Sequence, residues 1–488
     1  MFSKTFLNLG CATLSAAACA VADSAAPAAP AAPRPNILFF FADDMRADTI
    51  AALGNTNIQT PNLDRLARRG LAFNRAYMQG ACRGATCVPS RAMLLSGQGV
   101  FRIDEQLLRD QTWPTAFGKA GYSTFISGKW HNGEKSLPLC FQQARSVFVG
   151  GMTDNPLHAT LRDLKDGRLT KLRVSTKHAC AVFADEGVRF LGKHKEKDGP
   201  FFCYLPFDAP HDPHIVPPNY PVHYDPAKLV PPNFLPQHPF DNGEMEIRDE
   251  KLLPHPRTKK GVGRMNAEYY RYISWLDTQI GRVLDALDAS PYAKNTIVVF
   301  SADSGVARGS HGLIGKQNLY DYDSVRVPLI IAGPGIPENQ RTEAMCYLFD
   351  VLPTLGSLCQ VPAPPKSQGL DFSPVLHDPG RAARTDLFFA YKGVQRAVAT
   401  SEWKLIWYPR AKQTQLFNLK DDPDEIHNLA DQPGQAAKVA EMFALLKKKM
   451  AEVDDDGNEW QNKKNQPHRS GAMPAVTVPK APAAKGKP

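Results

Sequence analysis

Apolar residues along this chain gather into five runs of strand length, separated by longer stretches with helical spacing. The runs are Asn36–Phe41, Ser123–Ser127, Phe201–Phe207, Thr296–Phe300 and Val327–Ala332. They are apolar at consecutive rather than alternate positions, as a strand covered on both faces requires. Between the runs, Thr60-Pro61 predicts a helix start, an N-cap residue followed by proline in the first turn, and Gly70 predicts its end. Ala267–Leu287 carries Tyr270, Ile273, Leu276, Ile280, Val283 and Leu287 at helical spacing. Continuous apolar strands alternating with helices predict an α/β fold: a large, mostly parallel or mixed sheet sandwiched by helices.

After about residue 380 the texture changes. Asp386–Ala390, Arg396–Thr400, Trp403–Tyr408 and Gln415–Asn418 are short segments separated by turn residues, and Ala437–Met450 is amphipathic. This predicts a small antiparallel sheet with one helix. The chain therefore divides into a main domain over 35–380, an α+β subdomain over 381–453, and a tail over 454–488 with too little apolar content to pack.

Polar residues stand at the ends of four runs. The first ends in Asp43-Asp44, the second in Lys129 and His131, the third in Asp208 and His211, the fourth in Asp303-Ser304. The carboxyl ends of parallel strands share one edge of a sheet, where open α/β folds bind ligands. One such cluster is ordinary solvation; four, carrying both signs of charge, point to a site.

Composition narrows the function classes. The 488 residues are 43% hydrophobic and 22% charged, with a net charge of +9. The tail segment 460–488 holds six Lys or Arg and no acid, which leaves +3 for everything before it. No basic stripe argues for nucleic acid. Met1–Lys4 followed by the apolar Phe6–Ala20 and small residues near Ala22 resembles a cleaved export signal over 1–22, with an Ala/Pro linker over 23–34. This implies a secreted or periplasmic protein. Cys19 after three alanines leaves a lipoprotein anchor open, and no later segment is long and apolar enough to cross a bilayer. Seven cysteines remain beyond the signal, an odd number that permits up to three disulfides.

The most informative stretch is Ala81–Gly97. Pro89 and Ser90 predict a short helix with Cys87 just before it, in the positive field of a helix N-terminus, and Arg91 within reach. A lone cysteine in this setting is ordinarily a buried structural thiol. Here Cys87-Val88-Pro89-Ser90-Arg91, with Leu95 and Gly97, resembles the signature of type I sulfatases, and the resemblance extends along the chain. It includes Arg34–Ile37 with Asp43-Asp44, Thr60–Asp64, Gly128–His131, Ala209–Pro213, Asp303-Ser304-Gly305, His311-Gly312, Gly315–Asn318 and Arg326–Leu329. Among the branches of that family it is most similar to the iduronate-2-sulfatase-like group.

The resemblance implies an alkaline-phosphatase-like fold and a specific division of roles. Cys87 is converted to formylglycine by a separate maturation enzyme. Asp43, Asp44, Asp303 and the oxygen at position 87 ligate one divalent cation, with Ca²⁺ the best match to carboxylate donors. Ser304 takes a fifth ligand position, where the family usually has Asn, His or Asp. Lys129 and Lys316 hold sulfate oxygens, Arg91 supports the nucleophile, His131 bonds to it, and His211 protonates the leaving alcohol. The implied mechanism is covalent. One oxygen of the hydrated aldehyde attacks sulfur, His131 then takes the proton of the second hydroxyl, sulfate leaves, and the aldehyde returns. The implied substrate is a sulfated small molecule or glycan, with a carbohydrate sulfate expected. Two other readings remain open at this point: a phosphonate or phosphodiester hydrolase of the same superfamily, and a catalytically inactive protein that binds sulfated glycans.

Overall fold

A computed structural model of the chain describes Met1 and residues 33–458. The expected export signal, Cys19, most of the linker and all of the tail beyond residue 458 lie outside the described residues. The rest belongs to the compact unit that begins at Arg34.

Its centre is a nine-stranded mixed sheet. Strand Asn36–Ala42 is buried along its whole length and pairs in parallel with Thr296–Ala302 on one side and Phe201–Pro206 on the other. Ser123–Ile126 and then Gln143–Ala144 continue the parallel order. On the opposite side the sheet changes direction. Arg326–Ala332 runs antiparallel to Thr296–Ala302, and Gly70–Tyr77 antiparallel to Arg326–Ala332. Gln340–Thr342 and Cys346–Tyr347 finish this side, each in parallel with Gly70–Tyr77. The fully apolar runs are thus central strands, as expected, and all four strands that end in polar clusters point the same way. Gly70–Tyr77 was not expected as a strand, because Asn74 and Arg75 interrupt its apolar run.

Helices Pro61–Arg68, Ala179–Lys193 and Lys259–Asp288 pack together as one layer; Cys87–Ser96, Trp113–Lys119 and Val351–Leu358 form another. The long helix begins well before Ala267. Thr258 caps it, its hydroxyl accepting from the Gly261 amide at 3.1 Å, and Gly263 lets it run against the Pro226 carbonyl, where an added Cβ would lie 2.1 Å away.

The second sheet contains Asp386–Tyr391, Gln395–Thr400, Trp403–Tyr408 and Gln413–Asn418 in antiparallel order. A fifth strand, Gly80–Ala81, adds in parallel to Asp386–Tyr391. Gly80 must be glycine: its φ is +128°, and a Cβ would meet the Ala390 carbonyl at 1.9 Å. This strand leads directly into the Cys87 segment, so the smaller sheet is joined to the site. Helix Ala436–Glu452 covers the sheet through Val439, Met442, Phe443, Leu446 and Met450.

The first residues assigned to the tail are packed. Asp455 is buried, and both its oxygens accept from the Arg396 guanidinium. The seven described cysteines are all buried and none is in a disulfide, so the bridges their number permitted are not formed. Among the described residues no helix is long and apolar enough to cross a membrane.

Candidate active site

The common edge of the parallel strands collects every residue that the sequence nominated. Asp43 and Asp44 follow strand Asn36–Ala42. The Asp43 amide donates to the Ala209 carbonyl at 3.0 Å, tying it to the neighbouring strand end. Asp44 takes a left-handed backbone conformation, φ 61°, which costs a non-glycine residue about 1 kcal/mol or more. It is held there by its amide, which donates to Asp303 Oδ1 at 3.1 Å, and by the Tyr269 hydroxyl, which donates to its carbonyl at 2.7 Å.

The helix that carries the sulfatase-like motif starts at Cys87 itself, not after it, and is buried throughout. Cys87 therefore sits in the first turn, and Arg91 one turn later on the same face. The Ser90 hydroxyl donates to the Asp303 carbonyl at 2.6 Å, and Asn132 donates to the Val88 carbonyl at 3.0 Å. These two bonds fix the helix to the ends of two strands. Cys87 Sγ lies 3.1 Å from His131 Nδ1 and 3.9 Å from Lys129 Nζ.

Charges interlock around this thiol. Arg91 Nε donates to Asp303 Oδ2 at 2.9 Å, and its terminal nitrogen lies 3.4 Å from Asp43. Lys129 pairs with Asp43, and Lys316 with Asp44. The Ser304 hydroxyl donates to Asp44 Oδ1 at 3.0 Å. His211 Nε2 is 3.6 Å from Asp44 Oδ2, and its Nδ1 faces the Asp212 carbonyl at 2.8 Å. Burial alone would raise Asp43, but Lys129 and Arg91 outweigh it and hold this carboxyl well below the usual range. At Asp303 burial and the nearby Asp43 win over Arg91, and the carboxyl is pushed up. Burial also raises the Cys87 thiol. Burial, with Lys129 beside it, drives His131 down to about 2, so the imidazole is neutral.

The donor set fits a hard divalent cation. Donor atoms of Asp43, Cys87 and Asp303 lie within 4.8 Å of one another, as do those of Asp43, Asp44 and His211. Asp43 Oδ1 is buried without a hydrogen-bond partner. A cation shared among these oxygens would satisfy that atom and relieve the repulsion that lifts Asp303.

Several neighbours of the cluster were given no role in the sequence. Asp208, which the sequence placed at a strand end but gave no role, is buried beside Lys129 and lifted by burial to about 6. Arg248 pairs with Asp212, next to His211. Gly151 lies against the His131 ring, where a Cβ would come within 2.5 Å of Nε2. Tyr269 donates to the Asp44 carbonyl and accepts from the Arg46 amide, and Asn132 donates to the Val88 and Glu105 carbonyls, long-range bonds that no local spacing announces. His214 and His311 stay outside the cluster. His214 packs on Tyr269 and Tyr272, and His311 pairs with Asp323.

A mixed sheet between helices, with a buried nucleophile position, converging carboxylates and cations at one strand edge, defines a hydrolase of anionic esters with the alkaline-phosphatase-like fold. The chain belongs to the sulfatase family, whose model matches residues 35–361; it is a sulfuric ester hydrolase. Residues 309–456 also match the model described as N-sulphoglucosamine sulphohydrolase, C-terminal. It is 28% identical to an ulvan-active sulfatase of Formosa agariphila, over 87% of this chain and 82% of that one. An N-acetylglucosamine-6-O-sulfatase of Bacteroides thetaiotaomicron is 26% identical over 90% of each chain. Mouse iduronate 2-sulfatase is 28% identical over 71% of this chain and 73% of its own. A solved structure of a protein in complex with its substrate D-glucosamine-2-N,6-O-disulfate shares the fold with a TM-score of 0.70 at 24% identity, covering 88% of this chain and 100% of that one.

Proposed function

We propose that the protein removes sulfate from a sulfated carbohydrate through a covalent step at position 87, where cysteine has been oxidised to formylglycine. The observation that carries this reading is the setting of Cys87: buried in the first turn of a helix, 3.1 Å from His131 and 3.9 Å from Lys129. A thiol whose pKa is raised by burial holds little thiolate at neutral pH and makes a weak nucleophile. The setting suits an oxygen nucleophile better. The carbohydrate substrate is supported by relatives named for ulvan, N-acetylglucosamine and iduronate sulfates.

Asp43, Asp44 and Asp303 would hold one divalent cation, with Ca²⁺ favoured by the all-oxygen donors and Ser304 and position 87 as neutral ligands. When bound, it supplies positive charge that acidifies a neighbouring hydroxyl and offsets the anionic substrate. The charge count agrees. The three carboxylates are matched by Arg91, Lys129 and Lys316. Once a cation takes the carboxylates, both lysines are free to bind sulfate oxygens. Neutral His131 accepts a proton from the oxygen at position 87, and His211 donates one to the departing alcohol. Maturation by a formylglycine-generating enzyme and export through residues 1–22 belong to the same reading.

The test is a panel of sulfated monosaccharides, aryl sulfates, phosphodiesters and phosphonate monoesters, scored for released anion before and after chelation. Release of sulfate from sugars, lost on chelation and restored by Ca²⁺, is expected. Faster turnover of a phosphonate than of any sulfate, or full activity in metal-free protein, would overturn the proposal.

A further inference from the structure

A short turn, Asp249–Leu252, with Arg248 just before it, lies outside every motif that marked the site in the sequence. Three consecutive side chains of this segment each hold a different loop of the site. Arg248 forks onto Asp212: Nη1 donates to Oδ1 at 3.0 Å, and Nη2 donates to Oδ2. Asp212 in turn bears on the neighbouring imidazole, since His211 Nδ1 lies 2.8 Å from the Asp212 carbonyl and 3.2 Å from its Oδ1. Nη2 of Arg248 also donates to Met152 Sδ at 3.2 Å, next to Gly151, which packs on the His131 ring. Asp249 accepts from Gln317 Nε2 at 2.7 Å, and the same nitrogen donates to the Gly84 carbonyl at 2.9 Å, in the segment that leads to Cys87. Glu250 is buried and accepts from the amides of Ile314 at 3.1 Å and Gly315 at 2.9 Å, directly before Lys316.

The two ends of this segment act differently. Both groups that face His211 Nδ1 are acceptors, so Nδ1 carries a hydrogen and Nε2 is the nitrogen left to face the reacting centre. Asp212 fixes the ring only if it is itself fixed, and the Arg248 fork supplies a planar two-point hold. The Arg248 side chain is 48% exposed, and an ion pair so open to water adds about 1 kcal/mol or less to stability. Its consequence is geometric, because a reacting group displaced by about 1 Å loses up to about a hundredfold in rate. At the other end, Glu250 pairs with buried Arg257. It fixes the backbone from which Lys316 reaches Asp44.

We propose that Arg248 and Glu250 are positioning residues that set the leaving-group acid and a sulfate-binding lysine in register. Arg248 aims His211 through Asp212, and Glu250 sets the loop that carries Lys316. This rests on the reading above, in which His211 protonates the departing alcohol and Lys316 holds sulfate oxygens, and adds to it two residues that act through others.

The test uses matured full-length protein with saturating Ca²⁺ and two probes. The leaving group of 4-nitrophenyl sulfate needs little protonation, and that of phenyl sulfate needs more. Arg248→Ala should lower kcat on phenyl sulfate about tenfold but on 4-nitrophenyl sulfate about twofold or less, with KM unchanged for both. Arg248→Lys, which keeps the charge without the fork, should recover part of the phenyl sulfate loss. Glu250→Gln should raise KM for both esters by the same factor, about threefold to tenfold, and weaken inhibition by inorganic sulfate to match, while the ratio of the two kcat values stays at its wild-type value. Glu250→Asp keeps the charge for Arg257 but shortens the reach to both amides, and it tests the same point where Glu250→Gln is unstable. Melting temperatures accompany the kinetics, and the Arg248 variants should melt like wild type. An equal loss on both esters in Arg248→Ala, or no loss, would overturn the role of Arg248. A Glu250 variant that shifts the ratio of the two esters as Arg248→Ala does, or leaves KM and sulfate inhibition unchanged, would overturn the role of Glu250. Each of these outcomes leaves the hydrolytic reading intact. Release of sulfate from neither ester by wild type would instead sink that reading, and the positioning roles with it.

Discussion

Cys87 is surrounded by charges that suit an oxygen there better than sulfur. Burial chiefly disfavours the thiolate, the ammonium groups of Lys129 and Lys316 only partly oppose it, and the neighbouring carboxylates add to it. Protein matured in a competent host should therefore carry an aldehyde at position 87, visible as a mass change in the Cys87 peptide and by an aldehyde-specific reagent. Cys87→Ala should abolish turnover while costing only about 1 kcal/mol of stability, since it removes one buried sulfur and leaves Ser90, Arg91 and Asn132 in place. Cys87→Ser should turn over at most once, because a single hydroxyl can form the sulfate ester but has no second hydroxyl to expel it. An unmodified thiol at position 87 in fully active protein, or undiminished turnover by Cys87→Ala, would exclude this chemistry. Arg91 shows why position matters as much as residue type. It is buried, bridges Asp43 and Asp303, and lies over the Phe41 ring. Replacement by Lys would lose the fork that spans both carboxylates.

The Cys87 helix owes its position to how it ends as well as how it begins. Gly97 takes φ 71° and its amide donates to the Met93 carbonyl at 2.8 Å, a left-handed C-cap. A Cβ there would lie 2.3 Å from Ser367 Oγ and 2.8 Å from Trp113 Nε1. Gly97→Ala should cost roughly 1–3 kcal/mol, the backbone penalty plus crowding, and should lower kcat as the helix shifts. Gly54→Ala is the control. Its φ of 121° is also positive, but no atom lies within 4 Å of the added methyl, so it should lose stability without losing activity. Denaturant midpoints and turnover of both variants would decide this, and an active, fully stable Gly97→Ala would refute it. Elements were legible in the sequence where burial is continuous or a cap is explicit: the central strands, the Thr60-Pro61 helix start and the Trp403–Tyr408 strand. They were illegible where tertiary contacts overrode local pattern. Gly70–Tyr77 holds its place against Arg326–Ala332 despite Asn74 and Arg75, and the first turns of Lys259–Asp288 survive two glycines because Pro226 packs there. The residues that converge at the strand edge were nominated in the sequence because strand ends and a dense motif marked them. The segment over 143–177 was not legible, because its strands are only two residues long.

At the scale of the molecule, His311 joins parts that are far apart in the chain. Its ring stacks on Tyr320 at 3.7 Å, Nδ1 faces Asp323 Oδ2 at 3.0 Å, and Nε2 faces the Glu425 carbonyl at 3.0 Å. Its own amide donates to the Asn233 carbonyl at 2.9 Å. It thus links the strand that supplies Asp303 to the loop after Gln413–Asn418. Burial on its own would lower this imidazole, but the hydrogen bond and charge of Asp323 prevail, and its pKa is raised. The sign follows from linkage. A histidine that binds its proton more tightly when folded stabilises the fold fully below its unfolded pKa of about 6.5, and loses that contribution as pH rises through the higher folded value. Glu425 is raised to about 7, chiefly by burial with Lys404 opposing. Its own titration falls in a neighbouring window, so the informative quantity is the difference between wild type and a variant. His311→Gln keeps a polar side chain but loses the charge, leaving Asp323 buried without its cation. Breaking one partner of a buried pair costs about 3 kcal/mol, and that deficit should be largest near pH 6 and should shrink steadily toward pH 9. Urea unfolding of both proteins at several pH values, with Ca²⁺ held saturating, measures it. A deficit independent of pH would show that His311 acts by packing on Tyr320 alone, and a deficit that grows with pH would contradict the raised pKa.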